Sequence, residues 1–355
     1  MRKSFWFLTQ IAIVALCIWV SPSPAFADTI EKHDNNELSH DQERIITLAQ
    51  KHSSNAKMLL DYQLRISNAF AANDRDLLAN ALQDAVSKFE QSGNSFDFFH
   101  IFFDLGLRFG RIDDFSSSER FHLLALEHAE KSGIEMAQAL SLAELGTQYL
   151  ITNRLEKARI HFVTALEIAE KRKDEHLIGV LKFRIGRLIT IQGQAPGYAA
   201  VFLKDAATLL KKTGDASTSG SAELFLAQLI LESSSTISPE KIEEAHKLSE
   251  GHVQSDNPTN QVIAHTNLAK IAQLQSLRST KKHYLNEALR IALANNLTID
   301  AIIVSNELGY DAKLHNNVAD ACSYWQDSLN IASSALPPPY VEKIQQIMDA
   351  EGCAP

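Results

Sequence analysis

Apolar residues in the middle of this chain recur three and four positions apart, the spacing of one face of an α-helix. Within segment 134–174, one such face consists of Leu142, Leu145, Gly146 and Tyr149. After a short polar break at 152–154, a second face consists of Leu155, Ala158, Phe162, Ala165, Leu166 and Ala169. The pattern predicts two helices joined by a tight turn, with small residues at the points where their backbones approach.

This pattern repeats with a period of about forty residues. The crossing position is occupied by Gly106, Gly146, Gly186, Ala227, Ala269 and Gly309, each preceded by leucine or isoleucine. An additional first copy is supported by Ala85, which lies forty residues before Ala125. A fixed period of this length is typical of stacked helical units. An irregular helical bundle whose glycines coincide by chance is the alternative.

Six residues of the best copy occur in a known order, namely Leu145, Gly146, Tyr149, Ala158, Phe162 and Ala165. This order resembles the tetratricopeptide repeat, and the unit length resembles its roughly 40-residue variety. The resemblance implies an all-α fold, an α-solenoid of about seven stacked helix-turn-helix repeats. Tyr340 to Ala350 then reads as a C-terminal capping helix, because stacked repeats otherwise leave an apolar end face.

Several copies depart from the pattern. Around Gly106 the expected alanine is Ser118, and the aromatic residue moves to Phe121. One extra residue after Gly186 shifts the second helix, so that Leu203 takes the aromatic position. Ser238-Pro239 and Asn257-Pro258 predict two helix starts, since a capping side chain precedes a proline. Segment 302–304 could pass for a strand, but its repeat register predicts a helix.

The N-terminus predicts export. Arg2-Lys3, an apolar run from Phe5 to Val20 and the sequence Ala25-Phe26-Ala27 are typical of a secretory signal peptide. The expected divisions are a cleaved signal at 1–27, a polar segment and lead-in helix at 28–55, the repeat array at 56–336 and the capping segment at 337–355. The expected location is periplasmic or secreted. Retention of the signal as a membrane anchor is the alternative.

Composition and motifs argue against several functions. The formal charge of −9 becomes −11 once Arg2 and Lys3 are cleaved off, which disfavours nucleic acid as a partner. The sequence has no phosphate loop, nucleophile elbow, zinc motif or C-x-x-C pair. The thirteen histidines are scattered and are expected to be solvated or capping residues. We expect no enzyme, no cofactor and no metal.

The resemblance implies that a protein or peptide partner would contact the first helix of each repeat, along a concave groove. The implied contact residues are Phe103, Arg111, Thr147, Phe183, Arg187, Gln228, Lys270, Asn306, Tyr310 and Lys313. Four of them are basic and are expected to form a positive stripe. The regular lysine and asparagine set that some family members use for a terminal carboxylate is missing. Ordinary packing or solvation is the alternative for each residue.

Only Cys322 and Cys353 remain after signal cleavage. Export would place them in an oxidising compartment, where an even number favours pairing. The helix lengths bring Cys353 back beside Cys322, so a disulfide that attaches the cap is expected, with two free thiols as the alternative. Three functions stay open: an envelope adaptor or assembly factor, a sensory protein that acts on a membrane signalling partner, and a divergent hydrolase.

Overall fold

The structure is a computed structural model. It describes residues 47–49, 51–53, 56–72, 74–92, 94–111, 114–193, 196–232, 237–335 and 338–353. The predicted signal peptide and most of the predicted lead-in segment lie outside these residues. Within the described ranges the chain forms long α-helices and no strand. It divides into two compact units, Met1–Lys173 and Asp174–Pro355, called unit 1 and unit 2.

The described part of unit 1 contains three helical hairpins. Their helices are α1 Ala56–Ala71, α2 Arg75–Ser92, α3 Ser95–Arg111, α4 Phe115–Ser132, α5 Glu135–Ile151 and α6 Leu155–Arg172. The helices of each hairpin pack on each other, and α4 packs on α5. The predicted break at 152–154 is confirmed as the turn between α5 and α6.

Unit 2 contains four further hairpins and a last helix. Its helices are α7 Glu175–Gln192, α8 Pro196–Lys212, α9 Ala216–Glu232, α10 Pro239–Glu250, α11 Pro258–Leu274, α12 Arg278–Ala294, α13 Thr298–Leu314, α14 Val318–Ala335 and α15 Pro338–Ala350. Numbered along the chain, the hairpins are 1 to 7, each with a first and a second helix. Segment 302–304 lies within α13, which confirms the helical prediction.

The crossing glycines fit under large side chains. A Cβ atom at Gly146 would lie 2.5 Å from the Phe162 ring, and one at Gly309 would lie 2.5 Å from Nε1 of Trp325. A Cβ at Gly186 would lie 2.9 Å from Leu203, which confirms the shifted register of hairpin 4. The absence of a side chain therefore sets the helix separation in these three hairpins.

Hairpin 2 corrects two sequence expectations. The ring that covers Gly106 belongs to His122, not Phe121, and a Cβ at Gly106 would lie 2.6 Å from it. Phe121 lies one position away and stacks on Phe109, with 5.3 Å between ring centroids. His122 and His100 are fully buried, so the expectation that the histidines are solvated or capping is wrong for both. The flat imidazole ring fits over the position where a Cβ at Gly106 would lie.

Polar side chains cap the starts of two helices and link the two helices of hairpin 2. The Ser118 hydroxyl donates to the carbonyl of Gly106 at 2.7 Å, which explains why serine replaces alanine in hairpin 2. Ser238 caps α10 by accepting from the backbone N–H of Lys241, and Asn257 caps α11. Both predicted helix starts are confirmed.

Helix α15 covers the end of hairpin 7. Its buried Ile344 and Met348 face α14, and Met348 shares a cluster with Trp325 and Cys353. The structure joins Cys322 to Cys353 by a disulfide bond, with 5.4 Å between their Cα atoms. The chain turns back after α15 at Gly352, whose φ of 74° favours glycine. The cap is thus held by apolar packing and a covalent link.

Candidate partner-binding surface

The implied contact residues of unit 1 differ in how exposed their side chains are. Thr147 on α5 is partly exposed, and its hydroxyl donates to the carbonyl of Ala143 at 3.1 Å. Phe103 is 0% exposed and lies edge-on to His122, so the expected surface contact is wrong for this residue. Its ring fills the hairpin interior that the small crossing residue opens. The side chain of Arg111 lies outside the described part of the structure.

Unit 2 presents a continuous layer of first helices. Helix α7 contacts α9, α9 contacts α11, and α11 contacts α13. The residue after each crossing position is partly exposed in all four helices, and these residues are Arg187, Gln228, Lys270 and Tyr310. We call them the central row. Since each occupies the same position in its repeat, the row crosses the layer from one helix to the next.

Two aromatic rings support Arg187 at one end of the row. Its guanidinium carbon lies 5.6 Å from the ring centroid of Phe183 and 4.9 Å from that of Phe225. The two rings meet edge to face, 5.6 Å apart. Burial lowers the pKa of Arg187 to about 10, and the positive charge of Arg184 adds to this effect. Arg187 therefore remains a cation at neutral pH, in a largely desolvated position.

An acid, Glu232, lies beside the middle of the central row. The Gln228 amide donates to the Glu232 carboxylate at 2.9 Å. Burial raises the pKa of Glu232, while the Gln228 hydrogen bond and the charge of Lys270 act in the opposite direction. Lys270 is thus partly compensated by Glu232, so the expected basic stripe is not uniform.

The last first helix, α13, contributes a mixed polar surface. Asn306 is mostly buried, and its Oδ1 accepts no hydrogen bond from the described residues. Tyr310 lies edge-on to Trp325 at 5.4 Å, and burial raises its pKa. Lys313 forms an ion pair with Glu351, just after α15. The Lys313 ammonium is therefore engaged by the cap region of the same chain.

Sequence reasoning missed Phe225, which supplies half of the aromatic support for Arg187. Phe225 stands two residues before the crossing Ala227, outside the positions that the resemblance implies. Its ring points sideways to the preceding first helix rather than outward. A search for aromatic residues beside the crossing position, in the repeat after an arginine, could have found it.

The described residues offer little for metal chemistry or membrane spanning. No group of three or more His, Cys, Asp or Glu side chains among them could hold a metal ion. None of the described helices is both long and apolar enough to cross a membrane. What the surface does offer is a row of side chains suited to non-covalent recognition.

Comparison with known proteins gives a fold but no family by sequence. No protein-family model matches the chain, and no curated protein matches its sequence. The apo form of RapI is similar in structure with a TM-score of 0.62 and 14% identity, covering 78% of this chain and 98% of RapI. The chain has a tetratricopeptide-like helical-repeat fold.

Two further solved structures share this tetratricopeptide-like fold. The apo quorum sensor NprR from B. thuringiensis has a TM-score of 0.57 and 13% identity, covering 83% of this chain and 81% of NprR. A Rap protein complexed with Competence and Sporulation Factor has a TM-score of 0.54 and 14% identity, covering 94% and 98%. At such low identity these proteins are similar to this chain in fold alone.

Proposed function

We propose that this protein is an exported, non-catalytic adaptor or assembly factor that binds a protein or peptide on its first-helix faces. The observation that carries the proposal is the central row of unit 2. Four repeats in succession present a partly exposed polar or aromatic side chain at one position, on helices that contact each other. Such a row suits an extended segment lying across the helices.

Two fold neighbours support a recognition role, although a third is called aspartyl phosphate phosphatase F. One of them is a Rap protein in complex with Competence and Sporulation Factor, and another is a quorum sensor. The first of these holds a bound factor and the second is named as a sensor, which supports the proposed recognition role. Arg187 and Tyr310 are the residue types most often found at the energetic centres of protein interfaces.

The test is photo-crosslinking at Gln228, in the middle of the central row. A photoreactive amino acid there should capture a specific partner from envelope extract, and mass spectrometry would identify it. The matched control is the same amino acid at Asn286, which is exposed on α12, a second helix of the same unit. Equal capture at both positions, or capture only at Asn286, would contradict the first-helix surface.

Export rests on the pattern at 2–27, which lies outside the described residues. Sequencing the N-terminus of the protein purified from its native cells should give Asp28 as the first residue. Detection of intact Met1 in membrane fractions would instead indicate a retained anchor.

A sensory role is the second candidate, favoured by the likeness to a quorum sensor. Here a bound ligand would change how successive hairpins pack and so alter contact with a membrane signalling partner. Hydrogen exchange of the purified protein with and without the captured partner distinguishes the two. Protection confined to the first helices favours an adaptor, whereas protection that extends to the second helices favours a sensor.

A further inference from the structure

Arg187 lacks a counterion among the described residues. The structure gives it neither an ion pair nor a hydrogen bond there, and its Nε is fully buried. Two other partly buried arginines are paired, Arg108 with Asp104 at 2.7 Å and Arg154 with Glu119 at 2.5 Å. A desolvated charge without a partner costs free energy, so such groups are usually paired or bind a ligand.

The aromatic support orients this guanidinium. The faces of Phe183 and Phe225 attract a cation without accepting its N–H groups. The outward N–H edge of Arg187 therefore stays available to an in-plane acceptor. A planar fork of N–H donors matches the two oxygens of a carboxylate, which it can bind bidentately.

The charges around Arg187 favour an anion. Arg184, on the same helix, is close enough for its charge to lower the pKa of Arg187. Glu232 of α9 is engaged by Gln228 and lies beside Lys270, about two helical turns along α9 from Phe225, which contacts Arg187. Arg184 and Arg187 thus place two cations at this end of the row, and Lys270 lies further along, beside Glu232.

We propose that Arg187 binds an acidic side chain of an extended partner segment that crosses the central row, with Lys270 facing a second acidic side chain. This inference rests on the proposed function. Packed helices lie about 8–10 Å apart, so Arg187 and Lys270 are separated by roughly 16–20 Å. About five or six extended residues span that distance. Two cations so far apart suit an acidic segment better than a single terminal carboxylate.

The experiment measures fluorescence anisotropy of labelled synthetic peptides with the full mature protein. The probe is a short peptide of alternating Glu and Ala with an amidated C-terminus. Two comparison peptides are measured beside it. One has Gln in place of every Glu and keeps the amidated C-terminus, and the other is the Gln-Ala peptide with a free C-terminus. We expect the acidic peptide to bind about ten- to one-hundredfold more tightly than both, and to weaken as salt rises.

Variants then locate the site. Arg187→Gln should reduce binding of the acidic peptide by about tenfold or more, and Arg187→Lys should only partly restore it. The control Arg290→Gln makes the same charge change on exposed α12 and should have little effect. Circular dichroism checks that each variant is folded. Should Arg187→Gln not fold, the comparison of the three peptides on the wild type still decides.

Several results would overturn the inference. Equal affinity for the acidic and Gln peptides, tighter binding of the free C-terminus, or equal losses in the Arg187 and Arg290 variants would each do so. Failure of the acidic peptide to bind would also overturn it. The crosslinking at Gln228 tests the proposed function independently, because it requires no acidic ligand. A partner captured there without any acidic preference would leave the function standing and remove this inference.

Discussion

The interior of hairpin 2 in unit 1 and the contact between hairpins 6 and 7 in unit 2 are built from different kinds of side chain. In hairpin 2 rings fill the space: Phe103 lies edge-on to His122 at 5.3 Å, and Phe102 stacks on Phe121 at 6.2 Å. Between hairpins 6 and 7, buried Lys281 forms ion pairs with Asp311 at 2.9 Å and with Glu307 at 3.2 Å.

The difference shows which contacts every repeat needs and which contacts can vary between repeats. Each of these hairpins requires a small residue where its two helices cross, and Gly106 and Gly309 both meet that requirement. The remaining contacts need only fill volume and satisfy buried polar groups. Aromatic packing inside hairpin 2 and ion pairing between hairpins 6 and 7 both fill these contacts, and they should respond differently to mutation and pH.

The largest effect is expected at Lys281. Lys281→Met leaves Asp311 and Glu307 without their cation, and Asp311 is only 6% exposed. Removing one partner of a buried pair typically destabilises a protein by about 3–5 kcal/mol. Urea unfolding measures the change. Lys282→Met is the control, since Lys282 is exposed and lies 3.8 Å from Asp320, and it should cost less than about 1 kcal/mol. Equal losses would refute a buried ionic link.

Replacement of both Cys322 and Cys353 by serine should have the next largest effect. The bond closes a loop of 31 residues, and a loop of that size contributes roughly 2–4 kcal/mol. Hydrogen exchange should show faster opening of α15, because repeat contacts are local. Reductant should lower the melting temperature of the wild type and leave the double variant unchanged. Two thiols free to alkylation in native protein would contradict the pairing.

His100, on α3 of hairpin 2, should make the stability of unit 1 sensitive to acid. Burial lowers its pKa to about 4 from an ordinary 6.5, although the nearby Asp104 carboxylate acts in the opposite direction. The unfolded chain therefore binds the proton more tightly than the folded chain between these values. The contribution of the buried His100 ring to the free energy of unfolding is therefore fully present above pH 6.5. It falls by about 3 kcal/mol as the pH falls from 6.5 to 4.

The variant His100→Gln should flatten this pH dependence whatever its effect on stability at neutral pH. Urea unfolding at a series of pH values between 4 and 7 measures the slope. The control is His161→Gln, on partly exposed α6, which should keep the wild-type slope. If the slope survives in His100→Gln, another group carries the acid sensitivity.

The crossing glycines come next in expected effect. Helix propensity alone would make Gly146→Ala stabilising by up to about 1 kcal/mol, but the new Cβ would lie 2.5 Å from the Phe162 ring. We expect Gly146→Ala to be destabilising, and Gly146→Leu and Gly309→Leu to cost about 1–3 kcal/mol. Gly197→Ala, on α8, meets nothing within 4 Å and should be neutral or stabilising. A stabilised Gly146→Ala would refute the tight crossing.

The sequence was sufficient for the hairpins because their signals are local: a small residue at each crossing, and Ser238 and Asn257 before prolines. It was insufficient for the interior of hairpin 2, because His122 and Phe121 are neighbours and either could fill the space over Gly106. Of the candidate surface, it supplied Arg187 but not Phe225. The ring contact between them depends on the direction of side chains on adjacent helices, which no spacing along the chain specifies.

The smallest effect is expected where unit 1 itself uses an ion pair. Arg154, the last residue of the turn in hairpin 3, donates two hydrogen bonds to Glu119 of α4 at 2.9 and 2.5 Å, and its guanidinium lies 4.5 Å from the Tyr149 ring centroid. Both side chains are partly exposed, so water and salt weaken the pair. A double-mutant cycle of Arg154→Gln and Glu119→Gln should give a coupling free energy of about 0.5–1 kcal/mol, which shrinks in high salt. A coupling as large as the loss at Lys281 would mean that this partly exposed link between hairpins is as strong as the buried one, and the contrast between the two links would fail.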